Sequence, residues 1–230
     1  MIEVTDLTKN YTTGPVVTKV LQGINLFVPS GEFLSIMGKS GAGKSTLLYQ
    51  MSLLDLPSSG RIIIDGVNTA DFSDKARMNF RLNRLGYVFQ DYALLPELSA
   101  VENVIVPLLM QGLNKVDAYA RSIEALDAVG LAHRHDNRPS QLSGGEQQRV
   151  SISRAIAQKP DILFADEPTA NLDSTSGQAV IEVMNKLHAE RGQTIVMVTH
   201  ELEYAREADR IIYLEDGQIS GEEKQSAANH

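Results

Sequence analysis

The chain has 230 residues, 43% of them hydrophobic and 22% charged, a composition that suits a globular domain and excludes a disordered or fibrous chain. Its 21 basic residues stand against 29 acidic ones, a net charge of -8, and this opposes the phosphate attraction on which sequence-independent nucleic-acid binding relies. There is no cysteine to form a disulfide or a thiolate metal site, and the longest apolar runs, such as residues 104–110, fall far short of the roughly 20 residues that span a bilayer.

In chain order, the opening MIEVTDLTKNY lacks an apolar run behind a basic stretch, so it does not read as an export signal. Cytoplasmic residence is the expectation. Residues 2–7, 20–28 and 61–67 read as strands with turns at Ser30-Gly31-Glu32 and Asp65-Gly66, and no crossover helix separates the first two. That pattern predicts a small antiparallel sheet. Buried strands follow at residues 33–37, 85–89, 162–165, 194–198 and 211–214, alternating with helical patterns at 44–54, 116–129, 146–158 and 174–191. This is the signature of a mostly parallel sheet covered by helices. Residues 91–159 contain no convincing strand and read as an inserted helical subdomain, and the small polar residues 221–230 read as a frayed tail. One α/β domain over residues 1–230 is expected, with its core in about 1–90 and 160–220.

Three motifs carry chemistry. Gly38-Lys39-Ser40-Gly41-Ala42-Gly43-Lys44-Ser45 follows one predicted strand and opens a helix, the context in which a glycine-rich loop turns successive N–H groups toward phosphate. In that pattern Lys44 reaches the β and γ phosphates and the Ser45 hydroxyl binds Mg²⁺. The apolar run from Asp161 ends in Asp166 and Glu167, closed by Pro168, and neighbouring strand residues face opposite ways. One carboxylate can therefore serve a metal while the other addresses water, although alone the pair could equally be two solvated charges. In Leu142-Ser143-Gly144-Gly145-Glu146-Gln147-Gln148-Arg149, Ser143 and Glu146 form a capping box at a helix start. The two glycines leave N–H groups open to a second anion, or the residues only cap a helix.

Together and in this order, the motifs resemble the nucleotide-binding subunits of ABC transporters, over nearly the whole chain. The resemblance implies a P-loop NTPase core of RecA-like form that binds ATP and Mg²⁺. It implies a homodimer that sandwiches nucleotide between residues 38–46 of one chain, Thr46 included, and Ser143, Gly144, Gly145 and Glu146 of the other. It further implies that Glu167 acts on water, that Asp166, Ser45 and Gln90 serve the metal, that His200 contacts the γ-phosphate, and that Tyr11 stacks on adenine. Asp173 matches an interface loop in which Asn171 replaces a commonly small residue. His133, His135, His188 and His230 match nothing in the family and are expected to be solvated. Residues 91–104 resemble the branch of lipoprotein-release and macrolide-export ATPases, which work on a separate membrane permease at the inner face of the cell membrane. A cell-division-type signal transducer and a soluble ATPase of repair or translation are the alternatives.

Overall fold

In the computed structural model, residues 1–225 are described. β1 (Ile2–Thr13) and β2 (Val16–Val28) form a long antiparallel hairpin that turns through Gly14 at φ 58°. β4 (Ser59–Ile64) pairs with the other edge of β1, and β5 (Val67–Asn68) closes a sheet of order β2-β1-β4-β5. The hairpin reaches further than residues 2–7 and 20–28, because its outer half is exposed on both faces, Val16 and Val17 included, and so carries no alternating apolar signal.

The second sheet has the order β10-β9-β3-β8-β7-β6. Within it β3 (Phe33–Met37), β6 (Leu85–Val88), β7 (Ile162–Asp166), β8 (Thr194–Val198) and β9 (Arg210–Glu215) run parallel. Every residue of β3, β7 and β8 is buried, as a sheet covered on both faces requires. The two-residue period sorts them. Phe33, Leu163, Ile195 and Met197 enter a core shared with the later helices, whereas Leu34, Phe164, Val196 and Val198 enter one shared with the antiparallel sheet.

The helices are α1 (Lys44–Met51), α2 (Asp74–Arg84), α3 (Ala100–Met110), α4 (Lys115–Ala128), α5 (Gly144–Ala157), α6 (Ser174–Arg191) and the short α7 (Leu202–Ala205). Between β6 and β7 the chain is helix and loop, with α3, α4 and α5 packed on one another and α5 set against β6 and α6. α2 has no fully buried residue, and its short apolar face is half-buried, with Phe80 packed against the core; its sequence cue is the Ser73 hydroxyl, which accepts from Ala76 N at the helix start.

Two expectations are overturned. Residues 221–224 are not a frayed tail: they complete β10 (Gln218–Lys224), antiparallel to β9, an exposed edge strand whose polar residues hide its pairing. Residues 226–230, with His230, lie outside the described residues. His188 is not solvated either, since its ring meets Phe33 edge-on at 5.8 Å and its Nε2 lies 3.2 Å from Asp209.

Arg210, only 8% exposed, joins several elements at the base of β9. Its guanidinium donates to both carboxylate oxygens of Glu32 at 2.7 and 2.8 Å and to the Phe27 carbonyl at 2.6 Å, with Glu222 at 3.4 Å. Removing one member of such a pair strands a charge away from water. Arg210→Ala is expected to cost about 3 kcal/mol in urea unfolding; a loss below about 1 kcal/mol would contradict this reading of the cluster.

Candidate active site

The loop between β3 and α1 is closed by residues with no room for a side chain. A Cβ on Gly38 would lie 2.2 Å from the Leu214 carbonyl oxygen, and one on Gly43, at φ 99°, would lie 2.9 Å from that of Val20. Gly43 caps α1, so the N–H groups of Lys44, Ser45 and Thr46 open the helix without intrahelical acceptors, with no acidic residue in the first turn. The helix dipole adds positive potential at the same point. Lys44 folds back into the loop, only 6% exposed, and donates to the carbonyls of Gly38 at 2.9 Å and Lys39 at 3.1 Å. The ammonium is thereby held by loop carbonyls beside the open N–H groups at the start of α1, an anion cradle with its own counter-charge.

β7 delivers the two carboxylates beside this cradle. Asp166 is 4% exposed and accepts from the Ser45 hydroxyl at 2.9 Å and the Tyr87 hydroxyl at 3.4 Å. Burial raises its pKa and the neighbouring Glu167 charge raises it further, against the Ser45 hydrogen bond. Burial drives the Tyr87 phenol far above its ordinary value, so it stays protonated and donates. Tyr87 carries no motif in the sequence; only the pairing of β6 with β7 brings it here.

Glu167 leaves the strand at φ 43°, in the left-handed region that a side chain rarely adopts. Its N–H donates to Val198 O at 2.9 Å, and its carbonyl accepts from Ala170 N at 3.1 Å. These bonds fix a turn that aims the carboxylate at the loop: one oxygen lies 3.9 Å from Lys44 Nζ and the other 3.2 Å from His200 Nδ1. Gln90, just beyond β6, joins Ser40, Lys44, Ser45, Thr46 and Glu167 in the lining of a cleft of about 500 Å³. That size suits a small-molecule ligand.

Tyr11 is not among the residues lining this cleft; its hydroxyl donates to Asp55 at 2.9 Å and its ring lies 4.9 Å from Lys9 Nζ. Ser143 to Glu146 lie outside the lining too. There Ser143 Oγ accepts from Glu146 N, and the Glu146 carboxylate accepts from Ser143 N at 2.8 Å and pairs with Arg134 at 3.0 Å. The Ser143 N–H, with Arg134, holds Glu146 below the usual carboxylate range. A Cβ on Gly145 would come 2.8 Å from that of Ser176, so this glycine lets α5 approach α6.

No group of three or more His, Cys, Asp or Glu among the described residues could hold a metal alone. Ser45, Asp166 and Gln90 offer a sparse set of oxygen donors. Such a set fits Mg²⁺, which keeps several waters and takes phosphate oxygens as ligands.

A family model described as ABC transporter matches residues 21–170. The chain belongs to the ABC transporter family. It is an ATP-binding subunit that hydrolyses ATP with Mg²⁺. It is 47% identical over 219 residues to the lipoprotein-releasing system ATP-binding protein LolD of Geobacter metallireducens, covering 95% of this chain and 97% of that one. It is 42% identical to the macrolide export ATP-binding/permease protein MacB of Chlorobaculum tepidum, covering 99% of this chain but only 35% of that longer protein. The dimeric post-hydrolysis structure of the ATP-binding cassette MJ0796, bound to ADP and Pi, matches with a TM-score of 0.92 and 40% identity, over 99% of this chain and 100% of that one. MJ0796 comes from Methanocaldococcus jannaschii.

The raised pKa of Asp166 has a consequence for this ABC subunit without nucleotide. A folded-state pKa above the ordinary 3.8 means that the folded chain holds the proton more tightly than the unfolded one, so ionised Asp166 destabilises the fold at neutral pH. Asp166→Asn is expected to raise the melting temperature of the nucleotide-free chain at pH 7. The gain should shrink as pH falls through the raised value toward 3.8, where the wild-type carboxyl is itself neutral. A pH-independent difference between the two melting curves would contradict it.

Proposed function

We propose that this ATPase works as a homodimer on a separate membrane permease, driving export or extraction of a lipoprotein, peptide or drug-like substrate. The observation that carries the hydrolytic part is the Glu167 carboxylate, set between the Lys44 ammonium and His200 beside the phosphate loop. The names of the lipoprotein-releasing and macrolide-export relatives support the cargo class.

In this reading the N–H groups of residues 38–46 and the Lys44 ammonium bind the β and γ phosphates of ATP. Ser45 and Asp166 hold Mg²⁺, with Gln90 near it, and the ion when bound offsets negative charge on the phosphates. Glu167 accepts a proton from a water whose oxygen attacks the γ-phosphorus; the bond from that phosphorus to the bridging oxygen breaks, and ADP and phosphate leave. His200, 3.2 Å from one Glu167 oxygen, orients the carboxylate and reaches toward the γ-phosphate. Tyr11 supplies an exposed ring for adenine. Ser143, Gly144, Gly145 and Glu146 of the second chain complete the site; the helix start that opens at Ser143 sets its dipole and its glycine N–H groups where a phosphate can approach.

The partner surface follows from exposure. Among the described residues no helix is long and apolar enough to cross a membrane. A groove of about 320 Å³ lies between α2, α3 and α5, lined by Leu54, Met78, Leu82, Val106 and Met110 beside Arg81. Met78 is 46% exposed and Met110 62%, and flexible methionines suit a docked apolar helix. A cytoplasmic helix of the permease is the occupant in this reading, which keeps the subunit at the inner membrane face.

Two outcomes test the proposal. Glu167→Gln keeps shape and hydrogen bonding but loses the base, so turnover should fall by at least about 100-fold while ATP still binds; near-normal hydrolysis would refute the role of Glu167. Met110→Asp places a charge in the groove and should abolish co-purification with the permease from detergent extracts without lowering the melting temperature. Retention at wild-type levels would move the docking surface elsewhere.

A further inference from the structure

Gln90 stands on a stretch that no sheet or helix holds. β6 ends at Val88, and the chain then turns at Tyr92 and Ala93, consecutive non-glycine residues at φ 63° and 48°. Such a turn persists only where its surroundings over-determine it. Here side chains from distant segments cap its carbonyls. Gln148 donates to Phe89 O at 3.4 Å, Asn171 to Gln90 O at 3.0 Å, and Arg154 to Tyr92 O at 2.9 Å and to Ala93 O.

Three of these bonds come from α5 and anchor the ends of the stretch. The fourth differs: it grips the main chain of Gln90 itself, and it comes from the loop that follows Glu167. That loop is tight, with Ala170 N donating to Glu167 O at 3.1 Å and Leu172 N to Thr169 O at 3.0 Å. The Tyr92 hydroxyl returns to Asn171 O at 3.5 Å, so the two segments hold each other. A small apolar residue at position 171 could keep the Tyr92 contact, which uses the main chain, but could not donate to Gln90. Among the described residues, the amide of Asn171 is therefore the side-chain group that ties the Gln90 main chain directly to the loop after Glu167.

We propose that Asn171 is a positioning residue for hydrolysis, holding Gln90 in the wall of the cleft that it shares with Glu167. This rests on the reading of Gln90 as a residue of the hydrolytic site. Asn171 makes no contact with the cleft itself and acts only through the Gln90 main chain.

The test is a double-mutant cycle on steady-state ATP hydrolysis by the full chain. Asn171 is exposed, so its substitutions should melt with the wild type. Loss of one neutral hydrogen bond predicts that Asn171→Ala lowers kcat about three- to tenfold, with KM for ATP within about twofold. Asn171→Asp should lower kcat further, because it sets a carboxylate oxygen against the Gln90 carbonyl. Gln90→Ala leaves that carbonyl in place and removes only the side chain being positioned, so Gln90→Ala with Asn171→Ala should turn over no more slowly than Gln90→Ala alone. Losses that multiply, or wild-type kcat in both Asn171 variants, would overturn the proposal and leave the Gln90 reading intact. Wild-type kcat in Gln90→Ala would overturn both.

Discussion

A lysine ammonium enclosed by the carbonyls of its own loop is the constraint around which the rest is arranged. Lys44 can donate to Gly38 and Lys39 only because the chain reverses tightly between β3 and α1, and it reverses there because neither Gly38 nor Gly43 has a side chain to collide with the neighbouring carbonyls. That places the open end of α1, a fixed positive charge and the Ser45 hydroxyl at one point. The parallel pairing of β3 with β8 and of β8 with β7 then brings the end of β7, with its carboxylates, alongside.

The site is assembled against local preference. Asp166 is a carboxylate in a buried position that disfavours its charge, and Glu167 adopts a conformation better suited to glycine. The backbone strain at Glu167 costs on the order of 1–3 kcal/mol, and the hydrophobic faces of a fully buried sheet supply the stability that offsets it. The ligand chemistry explains why the arrangement persists. In the proposed function a magnesium-bound triphosphate would set a cation beside Asp166 and a phosphate beside Lys44, and binding would relieve what folding leaves unfavourable.

Much of this was legible in the sequence, for reasons that differ by element. Phe33–Met37, Ile162–Asp166 and Thr194–Val198 declare themselves because a strand covered on both faces must be apolar throughout. The loop at Gly38 and the capping box at Ser143 declare themselves because backbone chemistry dictates residue types at fixed spacing. What stayed hidden is what burial marks only weakly: the outer half of the β1–β2 hairpin and the edge strand β10 are mostly exposed, and α2 half-buries one short face with no residue fully inside. The long-range contacts of Tyr87, Arg154 and Asn171 were invisible for another reason, although the family resemblance had already marked Asn171 as a departure in the interface loop. Each acts on residues far along the chain, at Asp166, Tyr92 and Gln90, and no local pattern encodes such partners.

In the proposed homodimer the phosphate loop of one copy faces the Ser143 helix start of another. Because the protein has no cysteine, single substitutions can report this without background. In an equimolar mixture of a Ser40→Cys chain and a Ser143→Cys chain under mild oxidation, a disulfide-linked pair should form with Mg-ATP and not without nucleotide. Failure to cross-link with Mg-ATP, or equal cross-linking in its absence, would contradict the account.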